Sequence, residues 1–281
     1  MSEEKRSKIK WRFKSQDGLE LFAHAFPTEE TPKAVVCLVH GHGEHIERYE
    51  HVAEAFNNAG YSLIGYDHRG HGQSDGIRGH IPSYETLLND VTAFRKEVNE
   101  YYPDLPHFLY GHSMGGNIAL NYTLREKPNL AGVIATGPWL KLAFEPPAIQ
   151  VFLGKTMNKI YPAFIQASGL DTAALSHDPE VVRAYEEDSL VHNKISARLF
   201  VEMYESGLWA FEHASEFPMP LLLMHGGGDK ITSAEASREF GAKTDKATVK
   251  IWDGLYHEIH NEPEKEEVFK TMIDWMDSRL A

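Results

Sequence analysis

A serine at the apex of a tight turn constrains this 281-residue chain more than any other feature. Residues 107–110 (His-Phe-Leu-Tyr) are a short apolar run typical of a strand, and residues 117–124 carry apolar side chains at helical spacing. Between them, Gly111, Ser113 and Gly115 form the pattern G-x-S-x-G. The two glycines let the backbone pass close to its neighbours without a Cβ clash. The pattern therefore predicts a strained turn that presents a nucleophilic hydroxyl at the start of a helix.

Strand and helix patterns alternate along most of the chain, which limits the fold to a few architectures. Residues 34–39 are apolar throughout, as expected for a strand buried on both faces of a parallel sheet. The predicted elements are a β-hairpin over 8–30, strands at 34–39, 62–67, 107–110, 132–137, 220–225 and 248–252, and helices at 47–59, 82–101, 117–124, 232–242 and 263–280. This alternation predicts a mostly parallel, doubly wound α/β sheet with right-handed crossovers.

The alternation stops between residues 141 and 212, which carry several helical patterns and no strand signal. We therefore predict an α/β core formed by residues 1–140 and 213–281, with a helical insertion over 141–212 after the sixth strand. In such sheets, ligands bind at the carboxyl ends of the strands. Residues that directly follow predicted strands are thus the candidates for chemistry.

Three of these residues form a set with a common chemistry. Ser113, Asp229 and His257 each follow a predicted strand, and they occur in the order serine, acid, histidine. A serine hydroxyl is a weak nucleophile that needs an imidazole as general base, and the imidazole needs a carboxylate to fix its tautomer. The alternatives are Asp229 as a simple helix cap, Asp253 as the acid and His260 as the base. Asp253 breaks the expected order, and His260 suits a surface or supporting position better.

Residues 40–45 (His-Gly-His-Gly-Glu-His) place two glycines beside the end of a predicted strand. Glycines allow backbone N–H groups to approach a carbonyl oxygen as it becomes an alkoxide. We predict that the backbone N–H groups of His42 and Met114 form this oxyanion hole. A metal site built from His40, His42 and His45 is the alternative, but no cysteine or second histidine cluster with ligand spacing supports it. We expect neither a metal nor a cofactor.

The loop at 67–76 (Asp-His-Arg-Gly-His-Gly-Gln-Ser-Asp-Gly) is dense in charge and glycine. This composition favours a hydrogen-bonded network that braces the loops around the site. Direct contact with a substrate is the alternative.

Composition disfavours several classes of partner. A formal net charge of −13 argues against nucleic acid, because such binding relies on Lys and Arg that neutralise phosphates. No apolar stretch is long enough to span a bilayer, and residues 1–10 lack the apolar core of a signal peptide. The one cysteine, Cys37, lies in an apolar strand and is expected to be buried and inert. We therefore expect a cytoplasmic protein, with peripheral membrane contact made through the insertion at 141–212.

Four segments together resemble the monoacylglycerol lipases and the related lysophospholipase-type members of the α/β-hydrolase superfamily. They are residues 40–45, residues 66–76 (Tyr-Asp-His-Arg-Gly-His-Gly-Gln-Ser-Asp-Gly), residues 111–116 (Gly-His-Ser-Met-Gly-Gly) and residues 255–262 (Leu-Tyr-His-Glu-Ile-His-Asn-Glu). The resemblance implies an α/β-hydrolase fold with a helical cap.

The same resemblance implies a role for each candidate residue. Ser113 is expected to be the nucleophile, Asp229 the acid and His257 the base, with oxyanion donors at His42 and Met114. Members of this group often have a small residue where His42 stands. The donor is a backbone group, so the role is kept, but the imidazole ring is expected to narrow the pocket.

The resemblance also implies a mobile cap over a hydrophobic acyl tunnel, which fits the insertion at 141–212. The apolar residues considered for substrate contact are Phe144, Ile149, Phe152 and Leu153. A helix that only packs on the core is the alternative to a lid that meets lipid aggregates. Relatives hold the glycerol head group with an acid and a tyrosine in the cap. The nearest equivalents here are Glu180 and Tyr185.

The resulting expectation is an enzyme that cleaves monoacylglycerols to fatty acid and glycerol through an acyl-serine intermediate, with a lipid ester as its small-molecule partner. A lysophospholipase or a broad short- to medium-chain carboxylesterase is the alternative on the same residues. A catalytically silent lipid-binding protein of the same fold is the alternative of another class. A peptidase is less favoured, as is a haloalkane dehalogenase, which would need an aspartate where Ser113 stands.

Overall fold

A central sheet of eight strands organises the chain. The fold is described for residues 9–280 in a computed structural model, so residues 1–8, most of the segment screened for a signal peptide, lie outside it, as does residue 281. Ten strands are described, and all but β7 and β8 belong to this sheet: β1 (Lys10–Lys14), β2 (Glu20–Phe26), β3 (Ala34–Val39), β4 (Tyr61–Tyr66), β5 (His107–His112), β6 (Gly132–Thr136), β7 (Ile165–Ala167), β8 (Lys194–Ser196), β9 (Leu221–Gly226) and β10 (Ala247–Trp252). The order in the sheet is β1-β2-β4-β3-β5-β6-β9-β10.

The sheet is mostly parallel. In this eight-stranded sheet, the antiparallel pairs of the described residues are β1 with β2, the predicted hairpin, and β2 with β4. The register of β3 is fixed on both sides, because Cys37 lies opposite Ile64 of β4 and Leu109 of β5. The carboxyl ends of β3, β5, β6, β9 and β10 consequently meet at one edge of the sheet, which confirms the predicted fold class.

Helices cover both faces of this sheet. They are α1 (Glu50–Asn58), α2 (Tyr84–Tyr101), α3 (Met114–Glu126), α4 (Ala148–Ile160), α5 (Pro179–Glu187), α6 (Ala197–Glu212), α7 (Ala234–Ala242) and α8 (Lys265–Leu280). Successive side chains of a strand point to opposite faces. Val35 and Cys37 accordingly pack with residues of α2 and α3, whereas Val36 and Leu38 pack with residues of α1 and α8. Cys37 is fully buried, as predicted.

The chain between β6 and β9 leaves the sheet and crosses its carboxyl edge. It contains α4, α5 and α6, as the helical patterns predict, but also β7 and β8, which pair antiparallel. The prediction of no strands over 141–212 was therefore wrong. Each of these strands has three residues, which is too short for an alternating pattern to emerge from the sequence.

Helices α6 and α4 form two layers of this segment. Helix α6 packs on α3 and on the segment after β6 so closely that a β-carbon on Gly207 would lie 3.1 Å from Asn117 Nδ2 of α3 and 2.5 Å from the carbonyl oxygen of Leu140. Helix α4 packs on α6 and buries none of its own residues completely. In the described part of the chain, no helix combines the length and apolar character needed to cross a membrane.

Candidate active site

Ser113 lies on a strained turn between β5 and α3. Its φ of 55° falls in the left-handed region, which costs a non-glycine residue free energy. The strain is held by hydrogen bonds on both sides, because the Ser113 N–H donates to the Thr136 carbonyl (2.9 Å) and the Ser113 carbonyl accepts from the Asn117 N–H (3.0 Å). Gly111 fits here because a β-carbon on it would lie 2.3 Å from the Gly115 carbonyl oxygen. The predicted strand–turn–helix is thus present.

The structure brings Ser113, His257 and Asp229 into hydrogen-bonding distance. His257 Nε2 lies 2.8 Å from Ser113 Oγ across 144 residues of sequence, and His257 Nδ1 lies 2.7 Å from Asp229 Oδ2. A carboxylate only accepts, so Nδ1 carries the proton and Nε2 offers a lone pair to the serine hydroxyl. Both His257 and Ser113 are nearly buried. This arrangement allows His257 to take the hydroxyl proton as the oxygen attacks a carbonyl.

Asp229 is fixed by neighbours of its own. Its Oδ1 accepts from the backbone N–H groups of Ile231 (2.7 Å) and Thr232 (3.1 Å), and its Oδ2 also accepts from His225 Nε2 (3.0 Å). Burial opposes ionisation, but the charge of His257 and the hydrogen bonds from His225 and His257 outweigh it and hold the pKa of Asp229 well below its ordinary value. Asp229 therefore stays ionised throughout the neutral range.

The interaction between Asp229 and His257 also changes the pKa of His257. Burial lowers the pKa of His257, but the charge and hydrogen bond of Asp229 overcome burial and raise that pKa above its ordinary value. The rivals considered from the sequence lie elsewhere. Asp253 is exposed, and His260 is buried against Tyr49, with their rings stacked at a centroid distance of 4.9 Å. His260 thus has a supporting position, and neither rival replaces a member of the set.

The turn at residues 40–44 is oriented by His40. The backbone N–H of His68 donates to His40 Nε2 (3.0 Å), so the proton of the neutral ring is on Nδ1, which donates to the Gly41 carbonyl (2.7 Å). Burial lowers the pKa of His40 well below its ordinary value, which keeps the ring neutral. The N–H of His42 belongs to the same peptide plane as the Gly41 carbonyl and points the opposite way. The hydrogen bonds of the His40 ring therefore fix the direction of the His42 N–H.

The second predicted donor, Met114, is the first residue of α3. The first N–H groups of a helix have no partner within that helix, and they carry its positive partial charge. The described geometry is thus compatible with the backbone N–H groups of His42 and Met114 as an oxyanion hole.

The loop at 67–76 braces this turn, as predicted. Asp67 Oδ1 accepts from the Ile46 N–H (2.8 Å), and its Oδ2 accepts from the Gln73 N–H (2.7 Å). Together with the bond from His68 to His40, these contacts join the loop to the turn at residues 40–44. Among the described residues, no group of three or more His, Cys, Asp or Glu side chains is arranged to hold a metal ion.

A cavity of about 250 Å³ opens in front of Ser113. Its lining combines apolar side chains with a cluster of polar ones. The apolar lining includes Trp139, Leu142, Phe144, Leu170, Leu175, Ile195, Phe200 and Ile231, and the polar lining includes Glu44, Tyr185 and Glu258. A cavity of this kind suits a ligand with an apolar chain at one end and hydrogen-bonding groups at the other.

The structure brings only some of the predicted substrate residues to this cavity. Phe144 and Tyr185 line it. Glu180 lies on the surface of α5, where it pairs with Arg183, and it does not reach the cavity. The apolar side chains of α4 point to the surface instead, with exposed fractions of 62% for Ile149, 63% for Phe152 and 57% for Leu153.

Two carboxylates and an arginine at the site were not predicted. Arg48 Nη1 donates to Glu44 Oε2 (2.5 Å), and the two Nη atoms of Arg48 donate to the two Glu258 oxygens (2.8 Å each). Glu44 and Arg48 are four residues apart, which is a recognisable signal for an ion pair. No sequence signal connects either of them with Glu258, since Arg48 and Glu258 are 210 residues apart.

Fold and site together define the class of protein. A mostly parallel sheet flanked by helices, with a serine on a strained turn at its carboxyl edge, is the architecture of an α/β-hydrolase. Comparison with known proteins narrows this class. The profile of the family described as serine aminopeptidase, S33, matches residues 30–264. The chain belongs to this family and is a monoacylglycerol lipase-type serine hydrolase.

Individual relatives cover most of the chain. The monoacylglycerol lipase of Mycolicibacterium smegmatis is 32% identical over 271 residues, which are 95% of this chain and 96% of that protein. Phospholipase YtpA of Bacillus subtilis is 33% identical over 89% of this chain and 98% of its own length. The crystal structure of the Paleococcus ferrophilus monoacylglycerol lipase superposes with a TM-score of 0.85 at 34% identity, covering 92% of this chain and 99% of that one.

One relative is much longer. An uncharacterized abhydrolase domain-containing protein of Dictyostelium discoideum is 39% identical over 253 residues, which are 89% of this chain. The chain spans 27% of the length of that protein.

Proposed function

We propose that the protein hydrolyses monoacylglycerols to a fatty acid and glycerol. The observation that carries this proposal is the cavity in front of Ser113, whose lining combines apolar and polar side chains. In the proposal, the acyl chain lies against apolar side chains such as Trp139 and Phe200, and the glycerol hydroxyls face Glu44 and Tyr185. The monoacylglycerol lipases among the relatives support the same substrate.

The proposed reaction has two steps. His257 accepts the proton of the Ser113 hydroxyl as Oγ attacks the ester carbonyl, and the N–H groups of His42 and Met114 hold the oxyanion. The imidazolium, stabilised by Asp229, gives its proton to the glycerol oxygen as the ester C–O bond breaks. Water then attacks the acyl-serine with His257 again as base. The fatty acid leaves and the serine recovers its proton.

The chain divides in this proposal into a core of residues 1–140 and 213–281 and a cap of residues 141–212. The cap contributes apolar side chains such as Phe200 to the lining of the cavity. Its outer helix, α4, presents Ile149, Phe152 and Leu153 to the surroundings, which fits transient contact with a membrane or a lipid aggregate that supplies the substrate.

A lysophospholipase is the second candidate, because one similar protein is named a phospholipase. A panel with one acyl chain separates the candidates: the monoacylglycerol, lysophosphatidylcholine and the nitrophenyl ester. We expect the highest kcat/KM for the monoacylglycerol. Ser113→Ala is expected to fold normally, to lose hydrolysis of all three and to lose labelling by a fluorophosphonate. Equal or better hydrolysis of lysophosphatidylcholine by the unmodified enzyme would reject the proposal.

A further inference from the structure

Three residues that Arg48 contacts together, Glu44, Glu258 and Tyr185, line the catalytic cavity and are called here its polar end. Two of the three are carboxylates. Arg48, which pairs with both carboxylates, is not among the lining residues, and its guanidinium carbon lies 4.7 Å from the centre of the Tyr185 ring. A molecule in the cavity therefore meets the two acids before it meets the arginine.

Glu44 is surrounded by donors. Its Oε1 accepts from the Gly41 N–H (2.6 Å) and the Tyr49 hydroxyl (2.7 Å), and its Oε2 accepts from Arg48 (2.5 Å). Burial and the nearby charge of Glu258 raise the pKa of Glu44, while Arg48 opposes this. All three hydrogen bonds are of the kind that a carboxylate accepts, so the ionised form is the one that this geometry fits.

Glu258 is held in the same way. Its two oxygens accept from the two Nη atoms of Arg48 (2.8 Å each), and Oε2 also accepts from Asn261 Nδ2 (2.7 Å). Burial opposes the charge, but Arg48 outweighs it and keeps the pKa of Glu258 well below its ordinary value. Two carboxylates thus share one guanidinium, and the group carries a net negative charge.

The other charged groups that line the cavity do not cancel this net negative charge. Within the described residues, Lys230 is the one lysine or arginine that lines the cavity, and its ammonium group is directed at Tyr256, 3.3 Å from the hydroxyl and 4.7 Å from the ring centre. Burial lowers the pKa of His42 to about 3 and keeps the pKa of His112 well below its ordinary value, so these two lining imidazoles are neutral. The third lining imidazole, His257, is paired with the carboxylate of Asp229, so this pair adds no net positive charge. Asp171 adds a further carboxylate.

We propose that Glu44 and Glu258 exclude leaving alcohols that carry a phosphate, so that the enzyme accepts acylglycerols and rejects their phosphorylated counterparts. This inference rests on the proposed function. A phosphate at the polar end faces two carboxylates, while the donors of Arg48 are already engaged with them. Like charges that face each other repel, which disfavours binding of a phosphorylated ligand. This repulsion is strong here because salt screens buried charges much less than exposed ones.

A matched pair of esters tests the proposal. We compare 1-decanoylglycerol with 1-decanoylglycerol 3-phosphate, both below their critical micelle concentrations, because the two differ only in the phosphate. For the wild-type enzyme, kcat/KM is expected to favour the uncharged ester by about 100-fold or more. In Glu258→Gln, which keeps the shape and removes one charge, this preference is expected to fall by about tenfold or more.

Two further variants complete the design. Glu235→Gln removes an exposed carboxylate from α7 that pairs with Arg238, and it is expected to leave the preference unchanged. Glu44→Gln is expected to act like Glu258→Gln and decides the question if Glu258→Gln shows no cooperative thermal unfolding. Equal wild-type rates on the two esters overturn the inference and leave the proposed function intact, as does an unchanged preference in a folded variant. No hydrolysis of either ester would remove the proposed function itself.

Discussion

Gly115 and Val39 are packed so closely that a β-carbon on Gly115 would lie 1.9 Å from the carbonyl oxygen of Val39. Gly115 is the second residue of α3, two residues after Ser113, and Val39 is the last residue of β3, directly before the turn at residues 40–44. The two halves of the site therefore meet at a point where only a glycine fits. Two substitutions in helices test this contact.

Gly115→Ala is expected to lower the free energy of unfolding by about 1–3 kcal/mol, because the backbone must move to make room, and to reduce ester hydrolysis with it. Gly154→Ala is the control. Gly154 lies in α4 with its nearest neighbour 3.8 Å from the added carbon, so alanine is expected to stabilise by about 0.5–1 kcal/mol. Denaturant unfolding measures both, and the same sign for both variants would contradict the role of the contact.

Asp229→Asn is expected to change both the rate and its pH dependence. In the proposed mechanism the neutral form of His257 is the base, so kcat/KM is expected to rise with pH through the pKa of His257, which Asp229 raises above its ordinary value. Without that charge the acidic limb of the profile moves to lower pH, and kcat falls by about 10⁴-fold.

Rate profiles between about pH 4 and 9 measure this shift. Asp253→Asn, at the exposed rival acid, serves as the control and is expected to leave the profile in place. An acidic limb that stays in place in Asp229→Asn would show that another group titrates there.

Arg48→Met is expected to destabilise the protein by about 3–5 kcal/mol, because it leaves two buried carboxylates without their cation. Lys270→Met is the matched control. Lys270 pairs with Asp274 on the surface of α8, where such pairs contribute about 0.5 kcal/mol or less. Urea unfolding compares the two variants. Equal losses of stability would mean that the interaction of Arg48 with Glu44 and Glu258 contributes no more than a surface pair.

Removing apolar side chains from α4 is expected to affect aggregated substrates. The double variant Phe152→Ser and Leu153→Ser loses two exposed side chains, each of which contributes about 1.5–3 kcal/mol when fully buried in lipid. Vesicle binding is therefore expected to fall by tenfold or more, with a smaller change in hydrolysis of a soluble short-chain ester. Ile9→Ser removes a similarly exposed side chain before β1 and is expected to change neither. Equal vesicle binding by all three proteins would argue against a lipid-facing α4.

The sheet could be predicted well from the sequence because the pattern of apolar residues in each strand depends directly on which of its faces are buried. An all-apolar run such as 34–39 belongs to a strand covered on both faces, and the alternation over 8–30 belongs to an edge hairpin. The strand-end positions of Ser113, Asp229 and His257 followed from the same reasoning, since parallel strands share one carboxyl edge. Between β6 and β9 the short strands left no such pattern, and β7 and β8 were missed.

By itself, then, the sequence determined the order of strands and helices in the α/β core, the residue that must lie on a strained turn and the residues that follow the strand ends. These depend on local properties, namely apolar periodicity and the glycines that a close backbone contact requires. Only the tertiary structure decided that Arg48 joins Glu44 to Glu258, that Tyr185 reaches the cavity and that Glu180 does not. Such pairings depend on which elements pack against each other and on where each side chain points. Neither is set by the spacing of residues along the chain.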